Sequence, residues 1–339
     1  MELSPGETVQ LEKFKELLLQ HGYVLSSVRE GTDDTTLLRY LRAQKFDTVL
    51  AFGQFHFAQT WRKEHHIREF YEEVEVSFYE NSRRMYPQWT GRRDMDGRPV
   101  YVFPVRHLTK GKLKAYLKRL ESCPTAKSYD LSPADLHFHA LYENLLQFVF
   151  PLASQLSHPQ ASRPISASTH IIDVSGVSVR QFWGIRKYLQ EASVAATTHY
   201  PETLGRVFVV GAPAFFKSIW EVISQWFDPV TRSKIFFLSA DETHEVLRSY
   251  IDESDLPVVY GGQLDWEWQD LPKLDEPAQR LVNHIYESSE QAPVVPEGPV
   301  IFESGCFQFL GSVNGKLRRN ALCLARDSSL SPLGSGRAN

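Results

Sequence analysis

Cysteine is scarce in this chain. Cys123, Cys306 and Cys323 are the three in 339 residues, odd in number and far apart. They exclude a disulfide scaffold and a Cys-x-x-Cys metal or redox motif, and they predict free thiols in a reducing compartment. Long apolar runs are missing too. None approaches the roughly 18 residues of a membrane span, so any membrane contact is expected to be peripheral. The opening stretch MELSPGETVQ has neither a basic n-region nor an apolar h-region, which predicts a cytosolic location without a secretory leader. An excess of positive charge is absent. The net charge of −4 argues against bulk attraction to nucleic acid or to anionic membranes, and leaves only local basic clusters to consider.

Motifs of common chemistries are also lacking. There is no GxxxxGK[ST] phosphate loop. Gly211 is followed by Ala212-Pro213 rather than by a dinucleotide-binding GxGxxG. Ser175, in Asp-Val-Ser-Gly, lacks the first glycine of a nucleophile elbow. Neither His65-His66 nor the pair His137 and His139 is expected to share a metal. No nucleophile, base and oxyanion hole assemble from the sequence. The chain is therefore read as a non-enzyme with no cofactor and no metal.

What is present centres on Tyr200–Leu238. The apolar β-branched run Val207–Val210, the break Gly211–Pro213, a helix predicted over Ala214–Phe227, a second break at Asp228-Pro229 and the run Ile235–Leu238 follow in order. That is a βαβ unit of a parallel sheet. In the helix, Phe215, Phe216, Ile219, Trp220, Val222, Ile223, Trp226 and Phe227 leave a polar stripe of only Lys217, Glu221 and Ser224 or Gln225. An ordinary sheet-covering helix is apolar over a stripe of about 100°. This one either lies sandwiched between sheet and helix, or closes over an apolar ligand or a membrane.

The rest of the chain supports a mixed α/β architecture. Three short helices are expected first: residues 8–21, one capped by Asp33 or Asp34, and one capped by Asp47. Asp96-Gly97 marks a turn before a strand at Val100–Phe103. Lys110–Arg119 reads as a solvated basic helix face, and Arg83, Arg84, Arg92, Arg93 and Arg98 as a second surface group. A helix over Leu136–Leu152, a strand at Ile171–Val174 and a helix over Val179–Ala192 come next. Beyond Gly262, Ala278–Tyr286 suggests a helix, Ala292–Pro299 is Pro-rich, and Asn314-Gly315 signals a hairpin between Cys306–Leu310 and Lys316–Leu322. The tail from Asp327 is expected to be disordered.

YPET, GAPAFF, FDPVTRSKIFFL and LPVVYGG, in this order and spacing, resemble the CRAL-TRIO lipid-binding domain, closest to its phosphatidylinositol transfer branch. TTLLRYLRAQKFD and WRKEHH look like the helical unit that precedes it. The resemblance covers roughly residues 10–262. It implies a small N-terminal helical domain (8–64), a mixed-sheet lipid-binding domain with an apolar cavity and a gate helix (80–262), a C-terminal extension (263–326) and a tail (327–339). By the same resemblance, Lys45, Glu202, Thr231 and Lys234 hold a phosphoinositide headgroup. Ammonium and hydroxyl groups would donate to phosphate, and Glu202 would accept from inositol hydroxyls. The gate helix would present Phe215, Phe216, Ile219, Trp220, Ile223 and Phe227.

Departures from the family pattern modify this. Gln44 stands where an arginine is usual, which weakens or rearranges phosphate binding. A second, phosphatidylcholine site would use Ser168, His170, Tyr101 and Tyr142, but His170 replaces a threonine and Thr90 replaces a tyrosine. Phosphatidylcholine binding is therefore expected to be weak, with protonation of His170 near pH 6 a possible rescue. The resemblance implies a monomer that binds one phospholipid, most readily phosphatidylinositol, and transfers it through transient contact with internal membranes. The alternative is a lipid-sensing adaptor that presents phosphatidylinositol or a sterol to a partner.

Overall fold

The computed structural model describes residues 3–26, 31–159, 163–212, 216–227, 229–286 and 297–323. The calls on Phe215 and on the tail 327–339 lie outside them, as do Pro213, Ala214, Asp228 and most of the Pro-rich stretch.

Side-chain caps set the first helices. Ser4 and Glu7 form a reciprocal capping box at the start of α1 (Pro5–Gln20). Asp33 accepts from Thr36 N at 3.1 Å to open α2 (Asp34–Ala43), and Asp47 accepts from Val49 N and Leu50 N to open α3 (Thr48–Glu64). Each cap is worth about 1 kcal/mol. Their apolar faces meet around Phe55, which packs edge-on against Phe14 at 5.8 Å and Tyr40 at 5.2 Å. All three rings are buried. Two shorter helices, α4 (Ile67–Glu73) and α5 (Val76–Arg83), lead to the sheet.

Strands β1 (Gln88–Arg93) and β2 (Pro99–Pro104) are antiparallel. Then come α6 (Lys110–Leu120), α7 (Pro133–Asn144) and α8 (Phe150–Gln155), with a π-helical segment, Leu145–Val149, joining the last two. Next are β3 (Ser168–Asp173), α9 (Val179–His199), β4 (Leu204–Val210), α10 (Phe216–Ile223), α11 (Pro229–Ser233) and β5 (Ile235–Leu238). The sheet order is β1-β2-β3-β4-β5, with β2 to β5 parallel. Alternation along β4 divides two cores. Val207 and Val209 face α6, α7, α9 and α10, while Phe208 and Val210 face Leu247 of α12 (Ala240–Arg248) and Ile251. A sheet covered on both faces explains why its strands read as unbroken apolar runs.

The C-terminal part adds α13 (Glu276–Tyr286) and the strands β6 (Val300–Glu303), β7 (Cys306–Phe309), β8 (Ser312–Val313), β9 (Lys316–Leu317) and β10 (Asn320–Cys323). Asn314 and Gly315, both at positive φ (51° and 74°), turn β8 into β9 as a tight hairpin requires. The sheet β10-β7-β6 packs Val300, Phe302 and Phe307 on the π segment and α13. The Tyr71 hydroxyl both donates to Val300 O (2.7 Å) and accepts from Val300 N (3.0 Å), fastening this unit to α4.

Three expectations are corrected. Cys306 and Cys323 are not free thiols but form a disulfide, because the β7–β10 register sets them directly opposite each other. Cys123 is a buried free thiol. The arginine group at 83–98 is not simply solvated: Arg83 pairs with Glu80, Arg92 with Asp255 and Arg93 with Asp275, each at 3.0 Å or less and largely buried. Finally, the helix expected to run to Phe227 ends at Ile223. Ser224–Trp226 form a 3-10 turn and Phe227 is extended.

Candidate functional site

A cavity of ≈460 Å³ opens on one face of the five-stranded sheet. Its floor is the inward set of alternate strand residues, Tyr101 and Phe103, Ser168, His170 and Ile172, Val207, and Ile235. Phe138, Leu141, Tyr142 and Leu145 of α7 and the π segment form one wall. Tyr188, Leu189, Ala192 and Ala196 of α9 form another. Such walls offer an apolar ligand surface to bury.

One end is polar. Gln44, Glu202, Thr231 and Lys234 all line it. Lys234 Nζ lies 2.7 Å from Glu202 Oε2, with both side chains mostly buried. Glu202 sits at φ 59°, a left-handed conformation that costs a non-glycine residue about 1–3 kcal/mol and that the Tyr200–Thr203 turn holds in place. Gln44 Nε2 donates to Gln54 Oε1 at 2.7 Å, and Gln54 in turn donates to Thr197 O and Thr198 O. The position that would hold an arginine in the family is thus tied to the start of α3 and the end of α9. Lys45, exposed and at φ 51°, stands beside this end without lining the cavity.

Ser168, His170, Tyr101 and Tyr142 come together deeper in the chamber. His170 Nε2 is 2.8 Å from Ser168 Oγ, and its ring stacks on Tyr101 with centroids 5.1 Å apart. Tyr142 stacks on Tyr200 at 4.3 Å. Burial pushes the His170 pKa down to about 4. In these surroundings the imidazole is therefore neutral at pH 6 as well as at pH 7, so rescue by mild acid requires a bound phosphate to raise this pKa. Thr90 does not reach the cavity. It is buried in β1, where its hydroxyl donates to Val100 O at 3.2 Å, so that departure affects the sheet rather than the chamber.

The expected gate residues divide by burial. Phe216 and Ile219 are buried, while Trp220 and Ile223 are half-buried against the same core. Phe237 of β5 packs on Phe216 (5.8 Å) and Trp220 (4.8 Å). Phe227 lines the cavity. Gly211, at φ 68°, precedes this helix. A Cβ there would lie 1.8 Å from Ser175 Oγ, so the break needs glycine.

A polar network behind the chamber went unread in the sequence. Glu143, fully buried, pairs with Arg62 of α3 and accepts from Gln147. Tyr200 OH donates to Glu143 at 3.4 Å and is 2.8 Å from His139 Nδ1. Tyr40 OH donates to His199 O at 2.9 Å. The network ties the N-terminal helices to the cavity wall. A signal existed: His139, Glu143 and Gln147 recur at every fourth position, a polar stripe inside an apolar helix.

A chamber with apolar walls and a charged end, bounded by a mixed sheet and flanking helices, defines a class of domains that bind a ligand with an apolar body and a polar head. The CRAL/TRIO domain model matches residues 83–262 and the CRAL/TRIO, N-terminal domain model matches residues 10–56; the chain belongs to this family. The SEC14 cytosolic factor of Eremothecium gossypii is 30% identical over 266 residues, which is 78% of this chain and 78% of that protein. The phosphatidylinositol/phosphatidylcholine transfer protein SFH11 of Arabidopsis thaliana is 29% identical over 263 residues, 77% of this chain and 64% of that protein. The crystal structure of Sfh5 shares the fold, with a TM-score of 0.56 at 17% identity over 85% of this chain and 100% of that one.

Proposed function

We propose that this protein binds one phospholipid, phosphatidylinositol foremost, and transfers it between membranes. The observation that carries this reading is the single chamber that joins apolar walls to Glu202, Thr231 and Lys234 at one end. Relatives named as phosphatidylinositol/phosphatidylcholine transfer proteins support it. Each methylene is worth about 0.8 kcal/mol on burial, so two acyl chains cost on the order of 20 kcal/mol in water. Only an enclosing chamber offsets that.

In this reading the Lys234 ammonium and the Thr231 hydroxyl meet the phosphate and Glu202 accepts from inositol hydroxyls, while Lys45 contributes from the rim. The Lys234–Glu202 pair pre-positions both groups, and the headgroup inserts between charges that already face each other. The chain divides as 8–64, 80–262, 263–326 and a tail, acts as a cytoplasmic monomer and carries out no catalysis. The test is transfer of labelled phosphatidylinositol between vesicles by the pure protein, with mass spectrometry of the lipid that co-purifies. A wild type that moves no phosphatidylinositol would refute the function. Unchanged transfer by both Lys234→Ala and Glu202→Ala would refute the site alone.

A further inference from the structure

Helix α9 has two faces with different chemistry. Its inner face walls the cavity through Tyr188, Leu189 and Ala192. Its outer face presents Arg180 and Lys187 around Trp183, which is 51% exposed, and Val179, which is 43% exposed. Arg186 lies over the Trp183 ring at 5.2 Å. Helix α6 packs alongside. A Cβ placed on Gly184 would stand at ordinary contact distance, 3.5 Å, from Lys110 Cβ, so the start of α6 meets α9 here and the two surfaces are continuous.

α6 adds exposed Lys110, Lys112, Lys114 and Lys118. Residues 110–121 and 179–191 together hold eight lysines and arginines against two glutamates, on a chain whose net charge is −4. Among the described residues, no carboxylate pairs with those four lysines or with Arg180; Lys187 has Glu191 at 3.6 Å. A solvated helix face on a protein of this charge would show interleaved acids. This face instead carries five cations without a carboxylate partner among the described residues, on the two helices that flank an exposed indole.

We propose that the α6–α9 face docks the protein on an anionic lipid bilayer. The chemistry fits that occupant. Cations near an anionic leaflet are each worth about fivefold in binding, and the field extends about a Debye length. Tryptophan settles at the headgroup level, where an amphipathic ring has both an apolar and a wet side. Docking through α9 also brings the helix that walls the cavity against the membrane, with the Ser224–Trp226 turn in contact with it. The purpose of the contact rests on the lipid-carrier reading, but the contact itself is measured independently.

The experiment is co-sedimentation of the full chain with vesicles of phosphatidylcholine alone or mixed with phosphatidylserine, at low and high salt. Uptake of phosphatidylinositol from detergent micelles is followed in parallel. The wild type is expected to bind the phosphatidylserine vesicles and to release in high salt. Lys110→Gln with Lys114→Gln should weaken that binding about fivefold per lysine. Trp183→Ala should weaken it too, and neither variant should lose micelle uptake. Exposed substitutions of this kind leave folding intact. Variants that bind anionic vesicles as the wild type does overturn the proposal. So does a wild type that ignores those vesicles, which would leave an acidic protein as the occupant of the face. Vesicle binding without any lipid uptake upholds the docking face and removes the carrier reading.

Discussion

Lys234 and Glu202 set the residue-scale expectations. Because the pair is mostly buried, Lys234→Ala leaves a carboxylate facing the cavity without its partner. A charged hydrogen bond lost in this way costs about 1.5–3 kcal/mol, more than an exposed lysine would. We expect thermal melting to show that loss and phosphatidylinositol loading to fall. Lys234→Met with Glu202→Gln should recover stability but not loading, which separates the site from the scaffold. His170 gives a second test. Its folded pKa, about 4, lies below the ordinary histidine value of 6.5, so the unfolded state takes up the proton first as pH falls. Stability is therefore full above about pH 6.5 and lost towards pH 4, by roughly 2–3 kcal/mol for this residue. Denaturant melts at pH 7 and pH 4.5 should differ less in His170→Thr than in the wild type. The same variant offers a hydroxyl beside Ser168, so phosphatidylcholine loading should rise in it. Wild-type phosphatidylcholine loading should not change between pH 7.5 and pH 6; a rise at pH 6 would show the imidazole to be charged there.

At the scale of elements, α10 rests on β5, and its Phe216, Ile219, Trp220 and Ile223 pack in the core beside the cavity, whereas Phe227 lines it. Phe216 and Ile219 are held in the core, and Trp220 rests on Phe237, so the helix is closed by an aromatic clasp along an edge strand. If the helix swings outward at the membrane, this clasp must part. Gly211 before it and the extended Phe227 after it are where a few backbone dihedrals would change. Trp220→Cys with Phe237→Cys, joined by a short cross-linker, should stop lipid exchange while leaving the bound lipid in place. Exchange at the unlinked rate would show that the cavity loads by another route. Trp220→Asp carries two effects at once. A half-buried ring replaced by a charge should lower stability as well as vesicle binding, so the cross-link is the cleaner measurement.

On the scale of the whole molecule, the C-terminal strands are part of the cavity's support rather than a free appendage. β6 and β7 cover the π segment, whose Leu145 faces the chamber, and Tyr71 locks β6 to α4. The Cys306–Cys323 bond closes a loop over a sequence separation of 17. Loop-closure entropy for such a loop is about 3 kcal/mol. Melting with and without reductant should differ for the wild type and coincide for Cys306→Ser. Coincident wild-type melts would mean that the thiols are already reduced. The same mutual support explains the ion pairs Arg92–Asp255 and Arg93–Asp275, which join the β1 strand to segments far along the chain.

The sequence by itself determined what depends on neighbours along the chain. Apolar period, caps at Asp33 and Asp47, the Asn314-Gly315 turn and the βαβ order of residues 200–238 are local, and each appears in the structure. Motif order identified the family and hence the fold. Tertiary structure alone decided what depends on residues distant in sequence meeting in space. Register, not spacing, joined Cys306 to Cys323. Packing of α3 on α7 turned Arg62 and Glu143 into one buried network, and burial lowered the pKa of His170, which no composition or motif records. Packing of α6 on α9 merged two unremarkable basic stretches into one face. Local preferences are written residue by residue, whereas desolvation and long-range pairing exist only once the chain has closed on itself.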